Sequence, residues 1–324
     1  MIDRRNFLKS LAALTSGIMI VPEAKINNDR LGSLLPLRKL GNTGKHVTML
    51  GVGGAHIGRS NEKMAQAIIE KALEGGVRFF DNAETYNGGR AERYFGKFLS
   101  PKYRDVAFIM TKTTARDAKT ARRHLEESLR NMKTDYLDLF QIHAITSPED
   151  VDNRLVNGVL DVLQEAKEKG MVRHIGFTGH SSFKAHLRML EQTELLETAQ
   201  MPVNLFDPNY KSFILNVLPV LAKRNMGVLA MKTLSNGGFF GGTTHFYGGS
   251  EPKIVPQFAS IQEALHFVWS LPVSVIITGA ESPEMLQEKI DLAKSFSGMD
   301  EDQRKELSSR VAHFDGNKVE YYKT

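Results

Sequence analysis

Residues 77–99 read VRFFDNAETYNGGRAERYFGKFL. An apolar run, Val77–Ala83, carries Asp81 near its end, and Tyr86 follows just ahead of the turn-prone pair Gly88-Gly89. Runs of the same kind recur at Val47–Gly53, Val106–Lys112, Tyr136–His143, Val172–Gly179, Thr198–Asn204, Gly227–Thr233 and Val273–Gly279. Helical spacing separates them, as in Met64, Ile68 and Leu73 or Leu125, Leu129 and Met132. Short strands with helices between them pair in parallel through crossovers. Eight such units predict a closed (β/α)8 TIM barrel over an open doubly wound sheet, with no second domain.

The punctuation agrees. Gly75-Gly76 and Gly170 stop helices, the latter after the cations of KEK. Ser282-Pro283 starts the last barrel helix with a cap and an N1 proline. GVGGAHIG, after the first strand, reads as a substrate-side loop rather than a dinucleotide fingerprint. Between Ser235 and Ser260, three glycine pairs mix with Phe239, Phe240, His245, Phe246 and Tyr247, which predicts an active-site lid after strand seven. The tail from Asp300 reads as one more helix and a polar end.

Charge is mildly basic, +5 at pH 7, but Lys and Arg alternate with Asp and Glu as on solvated helix faces, so a nucleic-acid partner is not expected. The absence of cysteine excludes disulfides, thiolate zinc, iron–sulfur clusters and a Cys nucleophile. No His-Glu spacing of metalloenzyme type occurs, and no metal site is expected.

The segment 1–28 is set apart. Arg4 and Arg5 precede an apolar, small-residue run, Leu11–Val21, of signal-peptide length. Arg4-Arg5-Asn6-Phe7-Leu8-Lys9 resembles a twin-arginine export signal, with Asp3 where Ser or Thr is commoner. That resemblance implies export of the folded protein by the twin-arginine machinery to the periplasm. Pro22 and Glu23 make a poor cleavage site near Ala24, so removal of the leader and retention as a membrane tether both stay open. Residues 29–324 form the barrel domain.

Strand C-termini of such a barrel converge on one pocket. Asp81, Lys112 and His143 stand at the ends of the second, third and fourth strands, and Tyr86 lies just beyond the second. Singly, Asp81 or Lys112 reads as a structural ion pair, Tyr86 as a surface aromatic and His143 as a core histidine. Together they read as a catalytic group. A carbonyl that accepts hydride needs a proton, and a cationic Lys112 is expected to acidify the Tyr86 phenol, with Asp81 keeping the lysine charged and His143 orienting the carbonyl.

The segments VRFFDNAETYNGGRAERYFGKFL, VAFIMTK and HLEESLRNMKTDYLDLFQIH resemble the signature blocks of the aldo/keto reductase family, and the likeness runs from about Leu37 to Ser297. It implies a nicotinamide cofactor, NADP or NAD, and a catalytic tetrad of Asp81, Tyr86, Lys112 and His143. It also implies cofactor contacts from Thr178, Gln200, Lys232, Gly279, Ala280, Ser282 and Glu288. Two departures stand out. Thr178-Gly179-His180 replaces the usual Ser-Asn pair, and Met285 stands where many NADP-preferring members place Arg, a natural partner of a 2′-phosphate. His56 and His180 line the mouth or serve as structural histidines, while His124, His174 and His186 read as surface residues. The expected function is hydride transfer between a nicotinamide cofactor and a small-molecule carbonyl or hydroxyl substrate, with a sugar in mind. The rival is a non-enzymatic barrel acting as a redox-sensing or partner-binding subunit.

Overall fold

The computed structural model describes residues 28–240 and 257–323. Eight parallel strands close a barrel: β1 Leu50–Gly53, β2 Phe79–Asp81, β3 Phe108–Thr113, β4 Leu137–Ile142, β5 Val172–Thr178, β6 Thr198–Pro202, β7 Gly227–Met231 and β8 Val275–Thr278. Each strand pairs with the next, and Ile276 opposite Leu50 closes the ring. The (β/α)8 TIM barrel read from the sequence is the fold found.

Side chains alternate across each strand, and that alternation builds the site. Phe79, Met110, Leu139, Leu229 and Val275 form a buried apolar layer inside the barrel. Two residues further along the same strands, on the same face, stand Asp81 (after Phe79), Lys112 (after Met110) and Gln141 (after Leu139). An apolar floor thus lies beneath a polar ceiling. The intervening parity, including Val52, Phe80, Ile109, Phe140, Ile175 and Ile276, joins the larger core under the helices. Burying one such side chain contributes about 1.5–3 kcal/mol, enough to fix the register and hence the direction of the polar residues.

The first apolar run divides differently from the sequence expectation. His46–Thr48 pairs antiparallel with Leu37–Lys39, and the barrel strand starts only at Leu50. Leu40 and Val47 from this hairpin join the same buried apolar layer. The segment after β1 is a helix, Gly54–Arg59, and not a loop. Helix caps follow the sequence: Asn61 accepts from Met64 N, and Ser282 from Met285 N with Pro283 in the first turn.

The tail is the larger correction. Asp300 caps a helix, Glu301–Arg310, and a short helix follows at Gly316–Val319. Beyond it the chain is not a polar end in solvent. Glu320, Tyr322 and Lys323 are all buried. His186 is fully buried as well, and His174 nearly so, against the surface placement expected for both. Residues 1–27 of the export segment and residues 241–256 of the lid, with His245, Phe246 and Tyr247, lie outside the described residues.

Candidate active site

Lys112 is the hub. Its side chain rises through the barrel to the mouth with the residue only 1% exposed, and Nζ meets Asp81 Oδ1 at 2.6 Å, the Asn82 carbonyl at 2.6 Å and Tyr86 Oη at 3.2 Å. An ammonium so enclosed needs those acceptors, because an unpaired buried charge is costly. Burial works against its charge, but Asp81 and then Tyr86 more than reverse this, so its pKa rises above the ordinary lysine value. Lys112 therefore stays cationic. Burial pushes the Asp81 carboxyl up against the pull of Lys112, and Gln200 donates to it from β6.

A short, rigid loop holds Tyr86 over this pair. Glu84 Oε1 accepts from Thr114 N and Oγ1 at 2.7 and 2.6 Å, tying the loop to the end of β3. Asn87, Gly88 and Gly89 then take left-handed backbone angles, φ 54°, 61° and 75°, that turn the chain into the helix Arg90–Phe98. Glycine serves the last two at little steric cost. Asn87 Nδ2 donates to the Ala55 carbonyl at 3.0 Å.

The phenol differs from the sequence expectation in one respect. Burial raises its pKa above the ordinary tyrosine value, Lys112 opposes this, and Asp81 and Glu84 add to the rise. Desolvation outweighs the neighbouring ammonium, so Tyr86 is a neutral phenol. Lys112 stands ready to stabilise the phenolate once the proton has left.

His143 is the first residue after β4. Its ring meets that of Tyr86 edge-on, with centroids 5.9 Å apart and planes at 84°. Burial first, then Lys112 and His180, hold its pKa well below the usual value, so it is a neutral imidazole. The structure thus brings all four predicted residues together.

The other predicted contacts ring the same end. Thr178 closes β5, Gln200 lies in β6, and both are 2% exposed. Lys232 follows β7 with φ 58°. Its carbonyl accepts from Ser235 N at 2.8 Å and Asn204 Nδ2 at 3.3 Å, and burial alone brings its pKa to about 8. Gly279 follows β8, and a Cβ there would fall 2.1 Å from His56 Cε1, so only glycine lets that ring lie on the backbone. Ala280 is buried, the Ser282 hydroxyl caps its own helix, and Glu288 is solvent-exposed further along it.

Several residues at this end escaped the sequence reading. Lys289 donates to the Gly279 carbonyl at 2.5 Å and fixes the loop after β8. Lys323 Nζ, wholly enclosed, bonds Asp207 Oδ1 at 2.6 Å, Glu320 Oε2 at 2.7 Å and the Tyr210 carbonyl at 2.8 Å. Glu320 Oε1 accepts from Asn204 Nδ2 and Tyr322 Oη. This cluster seats the Tyr322 ring against Lys232 Nζ, 5.3 Å from its centre, and the His180 ring, 6.2 Å away. The spacing of YYK in the sequence carries no periodic signal that announces such burial.

A barrel mouth with a Lys–Asp pair beneath a neutral phenol and a neutral imidazole can protonate a carbonyl oxygen or deprotonate a hydroxyl. The Aldo/keto reductase family model matches residues 49–309, and the chain belongs to that family. It is an NAD(P)-dependent oxidoreductase. Among curated relatives, it is 25% identical over 293 residues to "Uncharacterized oxidoreductase YqkF" of Bacillus subtilis, covering 80% of this chain and 91% of that one. It is 28% identical over 221 residues to L-galactose dehydrogenase of Arabidopsis thaliana, covering 63% and 66% respectively. Among solved structures, the holo form of aldo-keto reductase AKR11C1 from Bacillus halodurans superposes with a TM-score of 0.72 at 20% identity, covering 85% of this chain and 96% of that one.

The mouth fits a nicotinamide dinucleotide. Asn82 Nδ2, His143 Nδ1, His180 Nδ1 and Gln200 Oε1 are buried without hydrogen-bond partners, a concentration of unmet polar atoms that a ligand with an amide and hydroxyls would satisfy. Lys232 offers a cation to an anionic group.

Proposed function

We propose that the chain interconverts a small-molecule carbonyl and its alcohol, with Tyr86 as the acid–base group and a sugar or similar polyol as substrate. The observation that carries this reading is the Lys112 ammonium, bonded at once to Asp81 and to the Tyr86 hydroxyl. Thr178, Gln200, Lys232, Gly279, Ala280, Ser282 and Glu288 would hold the nicotinamide cofactor, which would supply or accept hydride. In reduction the Tyr86 hydroxyl passes its proton to the carbonyl oxygen, and Lys112 stabilises the phenolate left behind. Asp81 keeps Lys112 charged and pointed at the phenol. His143, neutral, donates a hydrogen bond that orients the carbonyl oxygen. Oxidation runs the same proton back to Tyr86. The likeness to L-galactose dehydrogenase supports the sugar class.

The test is a screen of purified protein against aldehydes, ketones and sugars with NADH and NADPH, followed by absorbance. Turnover of at least one polyhydroxylated carbonyl is expected, and its kcat/KM should not fall with rising pH within the ordinary tyrosine range. The sign follows from the raised phenol pKa: the acid form persists past pH 10. An alkaline loss centred near neutrality would remove Tyr86 as the acid.

From the resemblance of Arg4-Arg5-Asn6-Phe7-Leu8-Lys9 to an export signal, we also propose that the enzyme is delivered folded to the periplasm by the twin-arginine machinery. Changing both to lysine should hold the protein in the cytoplasmic fraction of a host with that machinery. Undiminished appearance in the periplasmic or membrane fraction would refute the route.

A further inference from the structure

Arg154 lies on the helix Pro148–Val156, one turn after Asp150, and neither residue takes part in the proton transfer. A pair at this spacing on a solvated face would spend its donors on water. Here the two residues are 2% and 5% exposed, and the guanidinium forks onto the carboxylate, Nε to Oδ1 and Nη2 to Oδ2, both at 3.0 Å. Its other bonds go to the main chain of the loop after β4. Nη1 donates to the His143 carbonyl at 2.8 Å and Nη2 to the Ala144 carbonyl at 3.4 Å. Asp150 Oδ2 accepts from Thr146 N at 3.1 Å, so the pair grips the loop on both sides of Ile145. Arg116, from the loop after β3, adds a second cation at Asp150 Oδ1, 2.9 Å away. Burial pushes the Asp150 carboxyl up, but Arg154 more than reverses this, and the pair stays charged.

The turn held in this grip is strained. Ala144 has φ 56°, in the left-handed region where a Cβ crowds the backbone, so a neighbouring contact has to offset its cost. That turn brings two successive carbonyls to one guanidinium. On either side the chain is pinned to the adjoining strands: His143 N donates to the Thr113 carbonyl at the end of β3, 2.7 Å, and Ile145 N to the Thr178 carbonyl at the end of β5, 2.9 Å. His143 Nδ1 is buried without a partner, so no hydrogen bond at that nitrogen aims the ring at Tyr86. The main chain has to aim it. We propose that Arg154, seated by Asp150, is a positioning residue that holds the left-handed turn at Ala144 and thereby keeps the His143 ring edge-on to Tyr86. Its kinetic consequence rests on the oxidoreductase reading of the same mouth.

Arg154→Lys tests it, because lysine keeps a cation beside Asp150 but cannot fork onto a carboxylate and reach two carbonyls at once. In the protein alone, nuclear Overhauser contacts between the His143 and Tyr86 rings should be present in the wild type and weaken in the variant. No ligand is involved, so this decides the positioning even if the carbonyl chemistry fails. With glyceraldehyde and NADPH or NADH, kcat/KM should fall about ten- to a hundredfold, while nucleotide affinity stays within about twofold. In a His143→Ala background the same substitution should have no further effect, since Arg154 acts through that ring. A purely structural role would lower both backgrounds alike. Ala144→Gly, which takes the left-handed turn without a steric cost, should restore part of the loss in Arg154→Lys. Should Arg154→Lys fail to fold, Asp150→Asn, which weakens the fork that seats the guanidinium, carries the same cycle. Unchanged ring contacts in the variant overturn the proposal. So does a loss of equal size in both backgrounds.

Discussion

Replacing Tyr86 by phenylalanine should lower kcat/KM for carbonyl reduction by about 10²- to 10⁴-fold, the usual worth of a positioned acid–base group. The substitution removes one oxygen and keeps the ring that meets His143 edge-on. Nucleotide affinity should therefore stay within about threefold, and the melting temperature should barely change. Because the proton is needed only as hydride arrives, kcat and kcat/KM should fall together. Steady-state kinetics with fluorescence titration of the nucleotide checks both parts. A variant with undiminished turnover would remove Tyr86 from the chemistry. A biological effect that survived the loss of turnover would favour the rival reading of a barrel that signals or binds partners.

The second large effect is on stability. Lys323→Met should cost about 3–5 kcal/mol, because Asp207 and Glu320 would remain enclosed with no cation between them. For a domain of this size, that corresponds to a fall in melting temperature on the order of 10 °C. Lys323 bonds three acceptors, and no water-exposed alternative is open to either carboxylate, since both side chains are 0% exposed. Adding Glu320→Gln to Lys323→Met removes one of the stranded charges and should recover part of the loss. Thermal denaturation of the single and double variants decides it. Equal melting temperatures for Lys323→Met and wild type would mean that the cluster contributes nothing to the fold.

The convergence of polar residues at one end of the barrel was legible in the sequence for a physical reason. Asp81 and Lys112 interrupt apolar strands at the parity that faces inward, where a lone charge is untenable, so each implies the other. Cap residues such as Ser282 were equally readable, because a hydroxyl three residues ahead of a free N–H acts locally. The acidity of Tyr86 was not readable. Its sign depends on how far burial outweighs one nearby cation, and burial is a property of the assembled mouth. His174 and His186 were misjudged on the same ground: a histidine looks alike in sequence whether it faces water or, as here, Glu197 and Phe177. The tail was the least readable part. Glu320 and Lys323 look like surface charges until Asp207, more than a hundred positions earlier, is brought beside them.

That long reach bears on biosynthesis. Asp207 and Lys323 are 116 positions apart, so Asp207 waits in the nascent chain until Lys323 has left the ribosome. Strands and tetrad are translated well ahead of the segment that seats Tyr322 beside His180 and Lys232. A nascent chain can therefore hold Asp81, Tyr86, Lys112 and His143 while the Tyr322 wall beside Lys232 has yet to be synthesised.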